Sequence, residues 1–497
     1  MDRRAFLKGT AWMGAAAVAA GCVGHGALAL SGSGGAMSGF ACAPLRRVRV
    51  GFAGLGGRGT AAMNRISQIP GCEVTGLCDL RADRIADCNA KLAAAGRPRA
   101  AEYCGPEAYK AMCDADDVDV VYVAGDWQMH CPVAFRAIRS GKHTLVEVPA
   151  AFSIDECWEY VELAEKHRVH AMMLENCCYG EAELLCLNLC RSGMLGELVH
   201  GEAAYIHDLR EMNYADDPSL TLPDGKPNVH RGYYGHWRLK WNVAHGGNQY
   251  PTHGLGPVCQ YMNVNRGDRL EYLCSVDSNQ ANFEAYAKEL WPAGDWHGKL
   301  KVKMGDMNTA VVKTALGRTI MVQHDVSSPR PYSRHNVITG TRGIFRGGGS
   351  FDYDVRRDFA VKLGWEDRPG GGVHRFFDRE RTEAVRAKFC HPYWKSAGEI
   401  AQKIGGHGGM DFLMDLRWVY CLQNGLPMDM DVYDLASWCS LCELTETSAR
   451  ERRFVEVPDF TRGGWKSATP LGIVDVDVKR LGLGSGGVVE DSAKMDV

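Results

Sequence analysis

Short apolar runs alternate with amphipathic segments between residues 46 and 175. Residues 48–53 and 73–78 are runs of strand length, and apolar residues at helical spacing follow the first of them at 60–69. The same pattern predicts further strands at 117–124, 143–149 and 169–174, and helices at 132–140 and 154–167. Strands that alternate with helices predict an α/β domain, with a parallel sheet covered by helices.

The second half of the chain has a different pattern, in which strand-like runs follow one another from about residue 196. These runs lie at 197–207, 270–276, 301–304, 310–315, 319–325 and 337–341, and late helices are predicted at 411–424 and 432–450. Over residues 176–470 this predicts an α+β domain with a mostly antiparallel sheet. Its open face is available for contacts between copies of the chain, so we expect a homo-oligomer.

Composition excludes two classes of function. The 57 Lys and Arg residues nearly balance the 60 Asp and Glu residues, which is not the charge of a nucleic-acid-binding protein. There is no run of about 18 apolar residues, so we expect no membrane-spanning segment. The 19 cysteines are scattered through predicted elements, and most are expected to be small buried residues. Cys439 and Cys442 form a CxxC without a second pair, so no metal site is expected.

The first 30 residues are typical of an export signal. Arg3 and Arg4 precede Phe6-Leu7-Lys8 and a weakly apolar segment at 9–21, which is a twin-arginine pattern. We therefore expect the twin-arginine export machinery to be a partner and the protein to be periplasmic or secreted. The sequence is compatible with two alternatives, cleavage of the signal after Ala29 and attachment of a lipid anchor at Cys22. Residues 31–45 are predicted to be a flexible linker, and residues 471–497 a peripheral tail.

A glycine-rich turn joins the first predicted strand to the first predicted helix. Gly54, Gly56 and Gly59 form GxGxxG, in which the glycines permit a sharp turn, close approach of a pyrophosphate and close helix–strand packing. The second strand ends in Asp79, whose carboxylate can accept both ribose hydroxyls and would repel a 2′-phosphate. Residues 46–175 are therefore predicted to be a Rossmann domain that binds NAD rather than NADP.

Polar clusters stand where packing residues would otherwise be expected. They lie at 175–179, 237–240, 248–254, 327–332 and 405–409. In the last of them, His407 stands between two pairs of glycines, which cost conformational entropy and offer no packing. We expect this histidine to be exposed and mobile, and to act as a general acid and base on a loop that closes over substrate.

Taken together, these segments resemble glycoside hydrolase family 109, a family of NAD-dependent α-N-acetylgalactosaminidases within the glucose-fructose oxidoreductase and inositol dehydrogenase superfamily. The resemblance covers residues ~46–450. The segments that carry it are GFAGLGGRG, VEVP, MMLENCCY, YIHDLR, WRLK, YPTHGLGP, NRGDR, SPRPYSR and GGHGG. It implies an enzyme that hydrolyses N-acetylgalactosaminides, with terminal α-linked residues of glycans as the expected substrates.

The resemblance also implies roles for individual residues. Those expected to bind NAD are Gly54, Gly56, Gly57, Arg58, Gly59, Asp79, Trp127, Gln128, Met129, His130, Glu147, Val148 and Asn176. Those expected to line the sugar pocket are Tyr205, Arg238, Tyr250, Pro251, Thr252, His253 and Tyr332. His407 matches the mobile acid and base. His253 and Tyr250 are expected to handle the proton of the C3 hydroxyl, and Tyr179 is the candidate base at C2.

The chain departs from sugar dehydrogenases of the superfamily at two proton-handling positions. Those enzymes usually carry Glu-Lys-Pro, where this chain has Glu147-Val148-Pro149, and an Asp four residues before the histidine, where it has Gln249. Gln128, Met129 and Trp241 also differ from the family pattern. The departures favour the hydrolase over an NAD-dependent sugar dehydrogenase, which is the main alternative. An exported NAD-bound sugar-binding protein without activity is a third reading.

The chemistry that the resemblance implies begins and ends with NAD. Oxidation at C3 of the sugar gives a ketone, which acidifies the C2 proton, so that a base removes this proton and the aglycone leaves C1. Water then adds across the double bond and the ketone is reduced again. NAD-dependent glycosidases are an exception to the usual mechanism with two carboxylates.

Overall fold

The computed structural model describes residues 36–214, 217–221, 227–228, 232–347, 358–364 and 375–476, together with residues 478, 481 and 483. The predicted export signal lies outside these residues. No helix within the described part is long and apolar enough to cross a membrane.

The first half forms a six-stranded parallel sheet in the order β3-β2-β1-β4-β5-β6. Its strands are β1 (Val48–Ala53), β2 (Cys72–Asp79), β3 (Ala101–Cys104), β4 (Val120–Val123), β5 (His143–Val146) and β6 (Ala171–Met173). Its helices are α1 (Gly57–Ile66), α2 (Ala82–Ala94), α3 (Ala108–Asp114), α4 (Trp127–Arg139) and α5 (Ile154–His167). The predicted Rossmann domain is confirmed. Fully buried strands such as β4 explain the continuous apolar runs of the sequence.

The second half contains an eight-stranded sheet in the order β15-β14-β13-β7-β12-β11-β10-β16, in which the pair β7–β12 is parallel and the other pairs are antiparallel. The strands are β7 (Leu198–Ile206), β10 (Leu270–Asp277), β11 (Asn308–Thr314), β12 (Thr319–Asp325), β13 (Val337–Gly340), β14 (Gly343–Gly347), β15 (Phe359–Leu363) and β16 (Val455–Glu456), with a separate hairpin of β8 (Asp217–Thr221) and β9 (Pro227–Asn228). The mostly antiparallel sheet is therefore confirmed.

Ten helices of the second half follow in the described residues. They are α6 (Glu181–Arg191), α7 (Arg210–Tyr214), α8 (Trp237–Ala244), α9 (Thr252–Tyr261), α10 (Asn282–Leu290), α11 (Arg379–Phe389), α12 (Pro392–Ile404), α13 (Met410–Asn424), α14 (Val432–Cys439) and α15 (Leu441–Glu451). One face of the sheet is covered by α9: a Cβ on Gly201 of β7 would lie 2.5 Å from the Val258 side chain of that helix. Tyr272, Val276 and Val311 are exposed on the sheet.

Three predicted elements are wrong or differently placed. Residues 301–304 form a loop, in which Met304 is buried and its backbone N–H donates to the Asn242 carbonyl at 3.1 Å. The predicted helix at 432–450 is two helices that meet at Ser440, whose hydroxyl donates to the Ser437 carbonyl at 2.8 Å and competes with helical bonding. Helix α4 begins five residues earlier than predicted, because Asp126 caps it by accepting from the Met129 backbone N–H.

The described part of the predicted linker, residues 36–45, is packed rather than free. Met37 is buried, and its backbone N–H donates to the Tyr433 hydroxyl at 3.1 Å. The Phe40 ring lies 4.7 Å from the His170 ring, centroid to centroid. The composition of this segment suggested flexibility, but its two large apolar side chains anchor it to the folded protein.

The start of the predicted tail is also packed. Val476 is buried, and the Leu471 carbonyl accepts from Nε of Arg191 at 2.6 Å. The Ser396 hydroxyl donates to Asp475 at 2.6 Å. The described residues of the tail therefore lie against α6 and α12.

The late helices return to the Rossmann sheet. Arg65 of α1 donates to Asp415 of α13 at 3.0 Å, and the Tyr433 hydroxyl of α14 donates to Glu165 of α5 at 2.6 Å. This packing brings the start of α13, with His407 just before it, to the carboxyl ends of the parallel strands. Ligands bind at that edge in α/β sheets.

Buried histidines predict that acid destabilises the protein. Burial, the largest cause in each case, lowers the histidine pKa values to about 4 or 3, so these side chains are neutral in the folded state. They are His143, His170, His207, His324 and His391. In the unfolded chain they would titrate near pH 6.5, so the unfolded state binds more protons below that pH. The free energy of unfolding should therefore fall as the pH drops from about 6.5 toward about 4, by up to ~1.4 kcal/mol per pH unit for each histidine.

Two buried aspartates oppose this trend. Burial raises the pKa of Asp415 and of Asp431 to about 6, so their contribution to stability increases as they become protonated. Five histidines outweigh two aspartates, and the net effect of acid remains destabilising. Urea unfolding at pH 7, 6 and 5 measures it, and an unfolding free energy that rose or stayed constant over this interval would contradict the prediction.

Candidate functional site

The glycine-rich turn is shaped by packing on one side and open on the other. Gly54 has a φ of +93°, and a Cβ there would lie 2.5 Å from the Gly125 nitrogen. A Cβ on Gly59 would lie 1.9 Å from the Gly54 carbonyl oxygen, so α1 can approach β1 only without a side chain. A Cβ on Gly57, by contrast, would meet nothing within 4 Å. The turn therefore leaves open space at the start of α1.

The start of α1 offers unoccupied backbone donors. Gly56 is its N-cap and supplies no side-chain hydrogen bond, so the first N–H groups of the helix can bind an anion. Beside them, Asp79 accepts from the backbone N–H groups of Leu55 at 2.7 Å and Arg81 at 2.9 Å, which fixes its carboxylate at the end of β2. The residues present therefore fit a dinucleotide, with its diphosphate at α1 and a ribose at Asp79.

The Gly59→Ala substitution tests the packing part of this description. The added methyl group overlaps the Gly54 carbonyl, so we expect a loss of about 1–3 kcal/mol or more in the free energy of unfolding, together with weaker NAD binding. Gly57→Ala is the matched control for stability and should change that free energy by less than about 0.5 kcal/mol. Chemical denaturation and NAD titration measure the two effects. Equal stability of both variants would contradict this account of Gly59.

Arg58, Glu147 and Asn176, which were predicted to bind NAD, belong to one hydrogen-bond network. The network includes the carboxylate of Asp411, to which the sequence analysis gave no role. Nε of Arg58 donates to Glu147 at 2.7 Å, and Nη1 of Arg58 donates to Oδ2 of Asp411 at 2.6 Å. Nδ2 of Asn176 donates to Oδ1 of the same carboxylate at 2.5 Å. Asp411 therefore joins the glycine-rich turn to the end of β6.

Asp411 also holds His407. The Nδ1 atom of His407 lies 2.9 Å from Oδ2 of Asp411, while the His407 side chain is 53% exposed. Burial alone would raise the pKa of Asp411, but Arg58, His407 and Arg65 hold it well below its ordinary value. The predicted exposed histidine is thus tied to a buried, ionised carboxylate. The spacing of four residues between the two was the signal in the sequence that could have identified Asp411.

A second histidine–carboxylate pair lies on the sheet side of the site. Nδ1 of His253 is 2.8 Å from Oε1 of Glu175, and Nε2 of His253 is 3.5 Å from the Tyr250 hydroxyl. Burial alone would raise the pKa of Glu175, but His253 holds it below its ordinary value. Gly254 makes this pair possible, since a Cβ there would lie 2.2 Å from the Ala204 nitrogen of β7. Glu175 belongs to a predicted cluster but had no predicted role.

Gln249 does not supply the carboxylate that dehydrogenases have at its position. It is buried, accepts from Nε1 of Trp241 at 2.9 Å and donates to the Gly246 carbonyl at 2.6 Å. Its amide therefore holds Trp241 in place, and His253 receives its carboxylate from Glu175.

Glu175, Cys177 and His253 also form a group whose ligand atoms lie within 4.8 Å of one another, as a metal site requires. Nη1 of Arg334 donates to the Cys177 sulfur at 3.2 Å, and burial raises the pKa of that thiol well above its ordinary value. A metal-binding cysteine must be deprotonated, and a neighbouring guanidinium repels a cation. The chemistry of this group therefore disfavours a metal.

Aromatic rings surround a buried arginine at the predicted sugar pocket. Cζ of Arg238 lies 4.8 Å from the ring centroid of Trp127, 5.0 Å from that of Tyr250 and 5.8 Å from that of Tyr205. Nη1 of Arg238 donates to the Tyr233 hydroxyl at 2.7 Å. Its Nε and Nη2 atoms are buried and have no hydrogen-bond partner within the described residues. These free donors suit the oxygen atoms of a sugar.

The remaining pocket residues are close to this group. The Tyr205 and Tyr250 ring centroids are 4.3 Å apart, and Tyr332 is 6.1 Å from Tyr205. Pro251 precedes α9 and Thr252 is its first residue, where the threonine is fully buried. The structure thus brings all the predicted sugar-pocket residues to one region.

The segment 127–130, whose residues were expected to bind NAD, is the first turn of α4. His130 is buried there, with its ring nitrogens 2.8 Å from the Pro149 carbonyl and 3.2 Å from the Gly125 carbonyl. Gln128 is exposed, Met129 is half-buried and Val148 is buried. Within this turn, Trp127 packs with the aromatic group around Arg238. His130 instead links the loops that contain Gly125 and Pro149.

The structure does not bring the Tyr179 hydroxyl to this group. Tyr179 is buried, and its hydroxyl donates to Asp429 at 3.0 Å. Asp429 is in turn paired with Arg417 at 2.9 Å. Burial raises the pKa of Tyr179 well above its ordinary value. These contacts are typical of a structural tyrosine.

The fold and the site define an NAD-binding protein of the oxidoreductase type, with aromatic rings around a buried arginine in its second half. Family models match on both halves: "Oxidoreductase family, NAD-binding Rossmann fold" at residues 48–175 and "Glycosyl hydrolase 109, C-terminal domain" at residues 179–467. The chain belongs to glycosyl hydrolase family 109.

Relatives and solved structures agree with this assignment. A glycosyl hydrolase family 109 protein of Shewanella sp. (strain ANA-3) is 42% identical over 95% of this chain and 99% of its own length. A protein of Bacteroides fragilis named alpha-N-acetylgalactosaminidase is 41% identical over 86% of this chain and 95% of its own. Levoglucosan dehydrogenase in complex with NADH and levoglucosan has a TM-score of 0.59 at 16% identity, over 83% of this chain and 100% of that one, which shows a shared fold.

Proposed function

We propose that this protein hydrolyses terminal α-linked N-acetylgalactosaminides and retains NAD throughout the reaction. One observation carries the proposal: each of the two histidines at the site is bound to a buried carboxylate, His253 to Glu175 and His407 to Asp411. An ordinary glycosidase needs one carboxyl group as acid and another as nucleophile or base. Two histidine–carboxylate pairs beside a nucleotide-binding turn instead suit proton transfers that accompany reversible oxidation.

NAD would be held by the start of α1, Asp79, Arg58 and Asn176. When bound, it supplies reversible oxidation at C3 of the sugar, so that no external oxidant is consumed. The substrate named for the Bacteroides fragilis relative supports the choice of N-acetylgalactosamine.

We assign the proton of the C3 hydroxyl to His253, on the basis of its contacts. Glu175 holds its Nδ1 atom at 2.8 Å, which leaves Nε2 on the side of Tyr250. Stabilisation by an ionised carboxylate favours the protonated form of the imidazole at the moment it accepts a proton. This pair replaces the lysine that dehydrogenases of the superfamily use.

We assign to His407 the proton transfers that accompany departure of the aglycone and addition of water. As C1–O cleavage proceeds, the departing oxygen receives a proton from the imidazolium, and the resulting neutral imidazole later accepts a proton from the water that adds at C1. Half exposure on a loop with four glycines gives this side chain access to both the aglycone and solvent. Arg238 donates to sugar oxygen atoms, and Tyr205 and Tyr250 offer ring faces to the sugar. The C2 proton passes to a base other than Tyr179, because the Tyr179 hydroxyl already donates to Asp429.

A panel of nitrophenyl glycosides tests the proposed function. The purified protein should release nitrophenol from the α-N-acetylgalactosaminide without accumulation of NADH. A sugar dehydrogenase would instead accumulate NADH when NAD⁺ is supplied and would release no nitrophenol. Absence of cleavage of the α-N-acetylgalactosaminide would contradict the proposal, and cleavage of only the β-linked members would contradict its α specificity.

We also propose export by the twin-arginine route, supported by Arg3, Arg4 and the segment that follows them. The double variant Arg3→Lys, Arg4→Lys should keep the protein in the cytoplasm, as cell fractionation would show.

We also propose that copies of the chain assemble through the open face of the eight-stranded sheet. Val276 and Val311 are exposed on that face, so variants that introduce a charge at these positions should lower the particle mass measured by light scattering.

A further inference from the structure

The hydrogen bonds of Asp411 indicate a specific role for this residue within the site. It lies in the first turn of α13, and four groups surround its carboxylate. Arg58 and His407 contact Oδ2 at 2.6 and 2.9 Å, Asn176 contacts Oδ1 at 2.5 Å, and Nη1 of Arg65 lies 3.6 Å from Oδ2. The carboxylate is 1% exposed, so it is kept in place by these side chains and not by water.

These partners determine which nitrogen of His407 carries a proton. An ionised carboxylate only accepts hydrogen bonds, and guanidinium and amide N–H groups only donate. The contact between Nδ1 of His407 and Oδ2 of Asp411 therefore requires hydrogen on Nδ1. Nη1 of Arg58, 3.5 Å from the same Nδ1, can only donate and provides no competing acceptor. In the neutral imidazole, Nε2 is then the unprotonated nitrogen.

We propose that Asp411 is a positioning residue that fixes His407 in the Nδ1–H form, so that Nε2 exchanges the protons of the reaction. This inference rests on the proposed function. When the C1–O bond breaks, its electron pair moves to the aglycone oxygen, which takes the proton from Nε2. When water adds, its proton moves to Nε2, and the imidazolium is restored.

The same carboxylate links His407 to the nucleotide side of the site. Oδ2 is shared between His407 and Arg58, and Arg58 also donates to Glu147 at 2.7 Å. A shift of Arg58 on the nucleotide side therefore changes the hydrogen bonds of Asp411 and, through them, the surroundings of His407. Gly406 belongs to the same arrangement, since a Cβ there would lie 2.7 Å from Cβ of Asp411.

The tautomer of His407 can be measured without substrate. In protein labelled with ¹⁵N-histidine, the His407 resonances are assigned from their loss in His407→Gln. We expect His407 to be in the Nδ1–H form in the unaltered protein. The preference for this form should be lost in Asp411→Asn and kept in Asp415→Asn. Asp415 is the matched control, because it is also fully buried and paired with an arginine, Arg65, one turn further along α13. An Nε2–H form in the unaltered protein, or no change in Asp411→Asn, would overturn the proposal.

Steady-state kinetics give a second test, whose expected result would not follow if Asp411 had only a structural role. An alkyl glycoside needs its leaving oxygen protonated, whereas a nitrophenyl glycoside needs this much less. With activity corrected for bound NAD, Asp411→Asn should lower kcat/KM for methyl α-N-acetylgalactosaminide by ~10²-fold, and for the nitrophenyl glycoside by less than ~10-fold. Equal losses on both substrates, or the same selective loss in Asp415→Asn, would contradict the proposal.

The two hypotheses can fail separately. If the unaltered protein cleaves no glycoside but His407 holds the Nδ1–H form only with Asp411, the proposed function fails and the positioning role stands. If glycosides are cleaved but the tautomer is independent of Asp411, the positioning role fails alone. Should Asp411→Asn not fold, Gly406→Ala replaces it, with Gly405→Ala as control. Both glycines have positive φ, but a Cβ on Gly405 meets nothing within 4 Å, so the loss of the Nδ1–H form should be larger for Gly406→Ala.

Discussion

The His407→Gln variant is expected to cleave methyl α-N-acetylgalactosaminide about 10²–10⁴-fold more slowly than the unaltered protein. Glutamine keeps a polar side chain of similar length but cannot donate and then recover a proton. Cleavage of the nitrophenyl glycoside should fall much less, because nitrophenolate leaves without protonation. Steady-state kinetics on the two substrates measure the ratio.

NAD binding is the control for this variant. The shortest contact of His407 on the nucleotide side is with Asp411 at 2.9 Å, and without His407 that carboxylate keeps its bonds to Arg58 and Asn176. NAD content after gel filtration should therefore stay within about twofold of that of the unaltered protein. Normal turnover of the methyl glycoside by His407→Gln would show that another group protonates the aglycone.

The His253→Asn variant is expected to lose about 10²–10⁴-fold in kcat/KM on both the methyl and the nitrophenyl glycoside. His253 acts at the C3 hydroxyl, before the aglycone leaves, so a better leaving group cannot compensate for its loss. This independence from the leaving group separates His253 from His407. The same pair of assays measures it.

His200→Asn is the matched control for His253→Asn. His200 lies on β7, as does the pocket residue Tyr205, but its ring is hydrogen-bonded at 2.8 Å to Thr319 on β12. We expect near-normal kinetics from this variant. A loss in His253→Asn that was large only for the methyl glycoside would place His253 at the aglycone and contradict its assignment to C3.

Local signals in the sequence predicted much of the fold. Gly54, Gly56 and Gly59 with Asp79 lie within a short stretch of chain, and their geometry depends on the backbone of that stretch, so the nucleotide-binding turn could be predicted. The apolar runs at β1 and β4 were equally clear, because strands buried on both faces contain almost no polar residues. Element ends depended on caps such as Asp126, which periodicity alone does not detect.

The pairs that make up the site could not be predicted in the same way. Glu175 and His253 are 78 residues apart, and Arg58 and Asp411 are 353 apart, so only the packing of distant segments joins them. The motif around Tyr179 suggested a catalytic role, but the direction of its ring, toward Asp429, depends on α13 and the residues after it. The pocket residues from Tyr205 to Tyr332 were found through the family resemblance, and their convergence follows from the packing of α9 on β7.

Isotope exchange with solvent distinguishes elimination from direct displacement, because only a route through removal of the C2 proton exchanges that position. The reaction is run in D₂O with an α-N-acetylgalactosaminide, and the released sugar is examined by NMR and mass spectrometry, with the free sugar incubated with enzyme as control. We expect deuterium at C2 of the released sugar, introduced during turnover. Complete retention of the original hydrogen at C2 would contradict it and would indicate direct displacement at C1.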